Sequence, residues 1–162
     1  MKIRGMKRRD IDAVLEIEKL SFSAPWSRRS MLMELNNAVA HYYVLLENAE
    51  VRAYIGLWLS FDEAHITNIA VHPEHRGRKL GTVLMLYAMA AANRLGAESM
   101  TLEVREGNER AQRMYYKLDF DKQGFRPRYY SDTGEGAYIL WNRNIKKTLE
   151  KNEAIVSRFI LE

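Results

Sequence analysis

The first part of the chain carries apolar residues at helical spacing. Asp10 can cap a first helix, and the break at Pro25-Trp26 is followed by Ser27, which can cap a second helix. The apolar positions that recur every three or four residues in these two helices are Ile11, Val14, Leu15, Leu20, Met31, Leu32 and Leu35. With a short strand at 2–6, the chain is predicted to begin strand–helix–helix.

The middle of the chain follows patterns typical of strands. Residues 41–46 and 51–61 are rich in β-branched and aromatic side chains and flank a turn at 47–50, which predicts a hairpin. Residues 63–71 predict a third strand. A regular helical stripe then runs from Leu80 to Leu95, and Gly96 is expected to end that helix as its C-terminal cap.

The last part alternates between the two patterns. Residues 99–104 predict a strand, and Asn108 can cap a helix that runs to about Leu118. Two strands are expected near 120–130 and 137–142. The tail carries apolar residues at roughly helical spacing and can pack either on the body of the protein or on a partner; these residues are Ile145, Leu149, Val156 and Phe159.

The predicted order of elements is βααβββαβαββ, with one further helix in the tail. Hairpins come early and strand–helix–strand units come later, which predicts an α/β (α+β) fold with a mixed sheet. No repeat and no Pro/Gly/Ser-rich linker interrupts the pattern. We therefore expect one domain over residues 1–145, followed by a C-terminal tail at 146–162.

The composition is that of an ordinary globular protein and excludes several kinds of site. Of the 162 residues, 47% are hydrophobic and 28% are charged. The chain has no cysteine, which excludes disulfides, thiolate metal sites and a cysteine nucleophile. The N-terminus is charged, and the longest apolar run, 83–92, is too short to span a bilayer. We expect a cytoplasmic protein without membrane contact.

One turn combines positive charge with backbone freedom. In "NIAVHPEHRGRKLG" (68–81), Gly77 and Gly81 allow a ligand to approach the backbone, and Arg76, Arg78 and Lys79 supply charge at the start of a helix. The spacing fits neither G-x-x-x-x-G-K-[ST] nor G-x-G-x-x-G, so it does not support a Walker A or Rossmann site. The turn predicts a phosphate-bearing cofactor, and the alternative is a solvated basic loop.

Two longer segments resemble a known family. "NIAVHPEHRGRKLGTVLM" followed by "LEVREGNERAQRMYYKLDF" resembles the GNAT superfamily of acetyl-CoA-dependent N-acetyltransferases. Arg76 and Gly81 match the R/Q-x-x-G-x-G/A loop of that family, whereas Lys79 stands where the family has its first glycine. The segments "FSAPWS" (22–27), "HITNIAVHP" (65–73), "LEVREGN" (102–108) and "RPRYYSDTGEGAYIL" (126–140) are similar to the RimI type, the ribosomal-protein-alanine acetyltransferases. The resemblance covers about residues 3–142.

The resemblance implies a GNAT fold of about seven strands and four helices, with acetyl-CoA as co-substrate. The residues that it implies for cofactor binding are Ile69, Ala70, Val71, Arg76, Gly77, Arg78, Lys79, Leu80, Gly81, Thr82, Asn108 and Tyr115. Those that it implies for binding the substrate peptide are Pro25, Trp26, Tyr129 and Tyr130. Aromatic side chains can pack along an extended peptide, although they can equally form a surface patch or the edge of the core.

Two residues are candidates for the transfer chemistry. Glu103 is out of pattern in the apolar strand "SMTLEV", and the resemblance implies that it accepts the proton of the amine. Pattern alone also allows a Glu that faces water or pairs with Arg105. Tyr115 is implied as the acid that stabilises the leaving thiolate, and without the resemblance it is equally a core tyrosine. A normal Glu pKa of about 4.3 is 3–4 units too low to deprotonate an α-ammonium outright, so burial, a bridging water or simple positioning of the amine must help.

The sequence therefore predicts direct acetyl transfer to the N-terminal α-amine of a protein, the alanine of a small-subunit ribosomal protein. No Cys or activated Ser is present for an acyl-enzyme. The alternatives are a broader N-terminal acetyltransferase of the archaeal Ard1 kind, an acetyltransferase for a small amine, and a ribosome- or RNA-binding module. The run His72–His75 lacks H-E-x-x-H spacing, so no metal is predicted. We expect no direct binding of nucleic acid.

Overall fold

Seven strands form a single sheet in the computed structural model, which describes residues 1–160. The strands are β1 (Lys2–Gly5), β2 (Ala40–Glu47), β3 (Glu50–Ser60), β4 (Glu63–Val71), β5 (Ser99–Arg105), β6 (Asp121–Arg126) and β7 (Ala137–Asn142). Their order across the sheet is β1-β2-β3-β4-β5-β7-β6. Among these strands, the β4–β5 pair is parallel and the other five pairs are antiparallel. This mixed sheet confirms the predicted fold class.

Six α-helices accompany the sheet in the part of the chain that the structure describes. They are α1 (Ile11–Ser21), α2 (Arg28–Leu35), α3 (Leu80–Arg94), α4 (Glu109–Lys117), α5 (Ile145–Lys151) and α6 (Glu153–Ile160). The order of strands and helices is the predicted one. The difference lies in the tail, where two helices stand in place of one.

Two apolar clusters hold the helices against opposite faces of the sheet. Successive strand side chains point to opposite faces, so Ile55 of β3 belongs to the larger cluster with α3 while its neighbour Tyr54 belongs to the smaller cluster with α1 and α2. Leu84 and Met89 of α3 are fully buried in the larger cluster. Burying such side chains contributes about 1.5–3 kcal/mol each.

The prediction that the Asp10 side chain caps α1 is wrong. Asp10 makes no side-chain cap bond, because a 3₁₀ turn at Arg8–Asp10 precedes the helix. Its carboxylate instead accepts hydrogen bonds from the Arg4 guanidinium at 2.7 and 2.9 Å and from the Lys7 backbone N–H at 2.7 Å. The predicted cap of α2 is confirmed, since Ser27 Oγ accepts from the Ser30 N–H at 3.1 Å.

Several predicted apolar positions and boundaries are also wrong. Leu20 and Leu95 are more than half exposed, and α1 buries Glu18 on its inner face instead. Phe61 lies in the β3–β4 turn with a positive φ rather than in a strand. The strand predicted over 120–130 ends at Arg126, and the following residues form a loop to β7.

The strands β4 and β5 separate part of the way along the sheet. Their parallel ladder has three pairs, from Glu63↔Ser99 to His65↔Thr101. On the other edge of β4, Thr67 is an extra residue between Ile66, opposite Leu57, and Asn68, opposite Gly56. A bulge of this kind bends its strand. Beyond His65, β4 therefore turns away from β5 and opens a wedge in the sheet.

The tail packs on the body of the protein. Helices α5 and α6 both contact α3, and Ile145 and Thr148 are completely buried. The Asn142 side-chain amide donates to the Thr148 hydroxyl at 2.8 Å, and that hydroxyl donates to Asp119 at 2.8 Å. The last two residues of the predicted tail lie outside the described residues. Over residues 1–160, no helix has both the length and the apolar character needed to cross a membrane.

Candidate active site

A cleft of about 340 Å³ occupies the wedge between β4 and β5. It brings together seven of the residues predicted for catalysis or binding, namely Trp26, Ile69, Glu103, Asn108, Tyr115, Tyr129 and Tyr130. Other predicted residues do not line it. Pro25 lies outside the lining, the Ala70 side chain packs toward α1, and the basic turn lies beyond the end of β4.

Glu103 is paired with a histidine that the sequence prediction missed. Its Oε2 lies 2.6 Å from His65 Nε2, and the Glu103 side chain is only 15% exposed. His65 is on β4 and Glu103 is on β5, and both side chains point toward the α1–α2 face of the sheet. The contact spans the two strands at the point where they separate. The alternative partner considered from sequence, Arg105, pairs with Asp132 instead.

The proton affinity of Glu103 is set by two opposing effects. Burial, the largest single effect, raises the pKa of Glu103, but the hydrogen bond and charge of His65 together with the charge of Arg126 outweigh burial, and the net pKa lies below the ordinary value. The sequence analysis allowed three routes by which Glu103 could assist deprotonation of the amine: a pKa raised by burial, a bridging water, or positioning of the amine. Because the pKa of Glu103 is lowered, the first route does not apply. Glu103 is ionised at neutral pH.

Tyr115 reaches the cleft from helix α4. The Asn108 side chain caps this helix by accepting from the Ala111 N–H at 3.2 Å, as predicted. Seven residues later, Tyr115 is 5% exposed and packs edge-on against Phe120, with ring centroids 5.8 Å apart. Burial raises the pKa of the Tyr115 phenol well above its usual value near 10. Its hydroxyl therefore keeps its proton and can act as a hydrogen-bond donor.

The basic turn has the backbone geometry of an anion site. Gly77 has φ +80°, and Lys79 adopts the left-handed conformation, with φ 61° and ψ 18°, immediately before α3. The left-handed conformation costs a residue other than glycine about 1–2 kcal/mol. The first turn of α3, which contains Leu80, Gly81 and Thr82, begins with free backbone N–H groups at the positive end of the helix dipole. These groups fit a phosphate.

Two of the arginines in this turn are held by protein partners. The Arg76 guanidinium donates to the Val71 carbonyl and to the Ser21 hydroxyl, both at 3.0 Å. The Arg78 guanidinium makes two bonds to the Glu47 carboxylate, at 2.8 and 2.7 Å. These contacts fix the turn against β4, α1 and the β2–β3 hairpin. The backbone N–H groups and Lys79 thus remain the main candidates for contact with a phosphate.

Two loops meet over the mouth of the cleft. The α1–α2 loop carries Ser23, which donates a hydrogen bond to Asp132 in the β6–β7 loop. Arg105 holds the same carboxylate with two bonds, at 3.0 and 2.8 Å, and its guanidinium lies 3.9 Å from the ring centre of Tyr130. Arg105 and Ser23 lower the pKa of Asp132 to about 2. We call this Ser23–Asp132–Arg105 connection the arch.

A buried polar cluster under the cleft was also missed from sequence. Glu34 of α2 is 9% exposed, and its Oε2 accepts from the Tyr42 hydroxyl at 3.0 Å and from the Trp58 indole N–H at 2.7 Å. The Trp58 ring in turn lies edge-on to His65. A carboxylate on the inner face of α2 is the available sequence signal, but its two partners, Tyr42 and Trp58, come from strands β2 and β3.

Two further features lie away from this chemistry. His72, Glu74 and His75 place possible metal-binding atoms within 4.8 Å of one another, but the Arg78 guanidinium is 3.2 Å from His75 Nδ1, which disfavours a cation. A larger cavity of about 940 Å³ lies between β1, the β2–β3 hairpin and α1. None of the residues predicted for the site lines it.

Comparison with known proteins points to one family. The model of the acetyltransferase (GNAT) family matches residues 11–120. A putative ribosomal protein bS18-alanine N-acetyltransferase of Bacillus subtilis is 42% identical over 140 residues, which cover 86% of this chain and 93% of that protein.

Solved structures agree with the sequence comparison. The ribosomal-protein-S18-alanine N-acetyltransferase of Escherichia coli has a TM-score of 0.80 and 27% identity, with 86% of this chain and 91% of that chain covered. Ard1 of Thermoplasma volcanium has a TM-score of 0.79 and 28% identity, with 87% and 95% covered. Both kinds of N-terminal acetyltransferase considered from sequence are therefore similar to this protein.

Proposed function

The chain belongs to the acetyltransferase (GNAT) family, and we propose that it acetylates the N-terminal alanine of a small-subunit ribosomal protein with acetyl-CoA. The names of the Bacillus subtilis and Escherichia coli relatives support this acceptor. The observation that carries the proposal is that Glu103, paired with His65, lines the same cleft as Tyr115. One space thus holds a proton acceptor and a hydrogen-bond donor.

Acetyl-CoA supplies the thioester carbon that the amine attacks. We propose that the backbone of Ile69, Ala70 and Val71 holds its pantetheine arm, because β4 has no ladder to β5 there. The turn at 76–82 would hold the phosphates through its backbone N–H groups and Lys79. A Cβ at Gly81 would lie 3.2 Å from Met114 Sδ, so glycine at this position allows α4 to pack closely against the start of α3.

Glu103 would accept the proton of the amine, with His65 orienting the carboxylate. A protein α-amine has a pKa near 8, so about one molecule in ten is neutral at pH 7. Direct removal by a carboxylate near pKa 4.3 is uphill by about 5 kcal/mol. His65 Nε2, 2.6 Å away, donates its hydrogen bond to the ionised carboxylate and would hold it in position for the amine. Positioning of the amine would therefore add to the small fraction that is already neutral.

Tyr115 would stabilise the sulfur of the leaving coenzyme. As the nitrogen–carbon bond forms and the carbon–sulfur bond breaks, negative charge develops on sulfur. Full transfer of the phenol proton to a thiolate of pKa near 8.5 is uphill by about 2 kcal/mol with ordinary values, and burial of Tyr115 makes it more so. A hydrogen bond from the Tyr115 hydroxyl is therefore the role that the site supports.

The arch favours a peptide end over other acceptors. A chain that passes between the two loops presents its terminus to Glu103, and Trp26, Tyr129 and Tyr130 offer aromatic surfaces beside it. The similarity to the Thermoplasma volcanium protein keeps a broader N-terminal acetyltransferase as the second candidate. Because both acetyl-CoA and nascent ribosomal proteins occur in the cytoplasm, we propose that location for the enzyme.

Mass spectrometry of short peptides incubated with the protein and acetyl-CoA tests the proposal. The panel contains peptides that begin with Ala, Ser, Met or Glu, together with N-blocked peptides that contain Lys. We expect acetylation of the free Ala start, and a loss of about 100-fold or more in Glu103→Gln. Glu63→Gln, an exposed carboxylate at the start of β4, serves as the matched control.

The other outcomes separate the alternatives. Acetylation of peptides with several different free N-terminal residues would contradict specificity for alanine and would support the broader N-terminal acetyltransferase. Acetylation of the N-blocked peptides would mean that lysine is the acceptor and would contradict the α-amine proposal. Transfer to no peptide would favour a small amine as substrate.

A further inference from the structure

Glu18 is a buried carboxylate that the chemistry described so far does not use. It lies on the inner face of α1, is 1% exposed, and lines the cleft on the β4 side. Glu103 lines the β5 side. The two carboxylates therefore belong to opposite walls of the cleft. Charged side chains are almost never fully buried unless they are paired.

The two oxygens of Glu18 have different surroundings. Oε2 accepts a hydrogen bond from the Trp26 backbone N–H at 3.0 Å, which ties the α1–α2 loop to the helix. Oε1 is buried, and no donor among residues 1–160 reaches it. Burial raises the pKa of Glu18, against the lowering effects of the Trp26 N–H and the Asn68 amide. An unmade hydrogen bond to a buried acceptor is unfavourable, and more so if the acceptor is charged.

The neighbouring hydroxyl donors on β4 and β2 are already used. The Thr67 hydroxyl donates to Asn68 Oδ1 at 2.9 Å, and the Tyr42 hydroxyl donates to Glu34 at 3.0 Å. The Asn68 amide approaches the Tyr54 hydroxyl at 3.5 Å and lies near enough to lower the pKa of Glu18, but it makes no hydrogen bond to Glu18 Oε1. A donor for Glu18 Oε1 is thus expected from a molecule that enters the cleft.

We propose that Glu18 binds the substrate, its Oε1 accepting a hydrogen bond from the first peptide N–H, between the first and second residues. This inference rests on the proposed function. Successive N–H groups of an extended chain point in opposite directions. When the α-amine faces Glu103 on the β5 wall, the next N–H faces the α1 and β4 wall, where Glu18 lies. Because Oε2 holds Trp26, the same side chain couples peptide binding to the α1–α2 loop.

The substitution Glu18→Gln tests this role with little change of shape. The amide oxygen can still accept from the Trp26 N–H, while the amide NH₂ takes the place of Oε1. We expect the KM for an Ala-starting peptide to rise on the order of 10-fold or more, with the KM for acetyl-CoA changed less than twofold. Glu16→Gln, an exposed carboxylate on the same helix, is the matched control and should leave both KM values unchanged.

A peptide analogue identifies the hydrogen bond itself. Replacing the first amide by an ester removes the N–H without adding bulk. With the wild-type protein, we expect this ester to raise the peptide KM about as much as Glu18→Gln does, and with Glu18→Gln we expect little further effect. The wild-type arm needs no variant, so it remains informative even if Glu18→Gln folds poorly, which a thermal melt reports.

Failure of the inference differs from failure of the proposed function. An unchanged peptide KM in Glu18→Gln, or an ester that binds like the amide, would overturn the role of Glu18 while wild-type α-amine acetylation still stands. Equal ester penalties in wild type and Glu18→Gln would also overturn it. Absence of α-amine acetylation by the wild type would instead remove the proposed function on which the inference rests.

Discussion

At the residue scale, the central interaction is the 2.6 Å contact between Glu103, which lines the cleft, and His65. His65→Ala leaves burial as the dominant influence on Glu103, so the pKa of that carboxyl should rise. Because the ionised form is the proposed acceptor, the acid limb of the pH profile should move to higher pH. We expect kcat/KM at pH 7 to fall about 10- to 100-fold, as measured by steady-state kinetics from pH 5 to 9.

His41→Ala serves as the control for that variant, since His41 is on β2 and makes no contact with Glu103. An acid limb that stays in place in His65→Ala would show that His65 does not tune Glu103. The same comparison distinguishes a change in chemistry from a general loss of stability.

Tyr115 allows a second test at this scale, because its neighbour Tyr116 is 41% exposed on the same helix. Tyr115→Phe would remove the proposed hydrogen bond to the developing thiolate, so we expect kcat to fall about 10- to 100-fold. Tyr116→Phe should have no effect. Since burial raises the pKa of Tyr115 above its usual value, its proton is retained through pH 10. An alkaline limb below pH 10 that disappears in Tyr115→Phe would contradict this role.

At the element scale, the bulge in β4 depends on a glycine in the neighbouring strand. A Cβ at Gly56 would overlap the Tyr42 ring and would lie 2.6 Å from Asn68 Oδ1. Gly56→Ala should therefore lower the free energy of unfolding by about 1–3 kcal/mol, or the melting temperature by about 2–12 °C. Gly5→Ala is the matched control, because nothing lies within 4 Å of a Cβ there.

Gly56→Ala should also weaken peptide binding in the candidate active site. Tyr42 holds Glu34, and Asn68 follows the bulge that separates β4 from β5. We expect the peptide KM to rise together with the loss of stability. A stable Gly56→Ala protein with unchanged kinetics would mean that the bulge does not need this close packing.

At the scale of the whole molecule, the C-terminal helices test the predicted division at residue 145. A chain that ends at 145 loses the buried Thr148 and the Lys151–Asp119 ion pair, and it uncovers part of α3. We expect its melting temperature to fall by about 10 °C, corresponding to roughly 3 kcal/mol. The KM for acetyl-CoA should be unchanged well below that temperature. A chain that ends at 152 keeps α5 and should lie between the two.

Removal of 146–162 without loss of stability would instead support a domain that is complete at residue 145. In that case the contacts of α5 and α6 with α3 would be a surface association. Thermal unfolding of the three lengths, followed by circular dichroism, decides between these outcomes.

The sequence alone predicted most of the fold, because its signals are local. Period-2 and period-3.6 patterns identified the elements in order, and Ser27, Gly96 and Asn108 marked helix ends through bonds to nearby backbone. The prediction from local pattern was wrong at Asp10, whose carboxylate binds Arg4 of strand β1 instead of capping the helix. It was also wrong at Leu20 and Leu95, which are exposed near the ends of their helices. Resemblance of longer segments identified the family that the comparisons then showed.

Only the tertiary structure could pair residues that are far apart in the chain. His65 and Glu103 are 38 residues apart and meet because β4 and β5 are parallel neighbours up to the bulge at Thr67. Ser23 and Asp132 are 109 residues apart and form the arch. The pKa of Glu103 and the unmade bond of Glu18 depend on such partners, because hydrogen bonds and desolvation act over a few ångströms of space. Residue types and spacing determine which elements form, and their packing determines what each charged group meets.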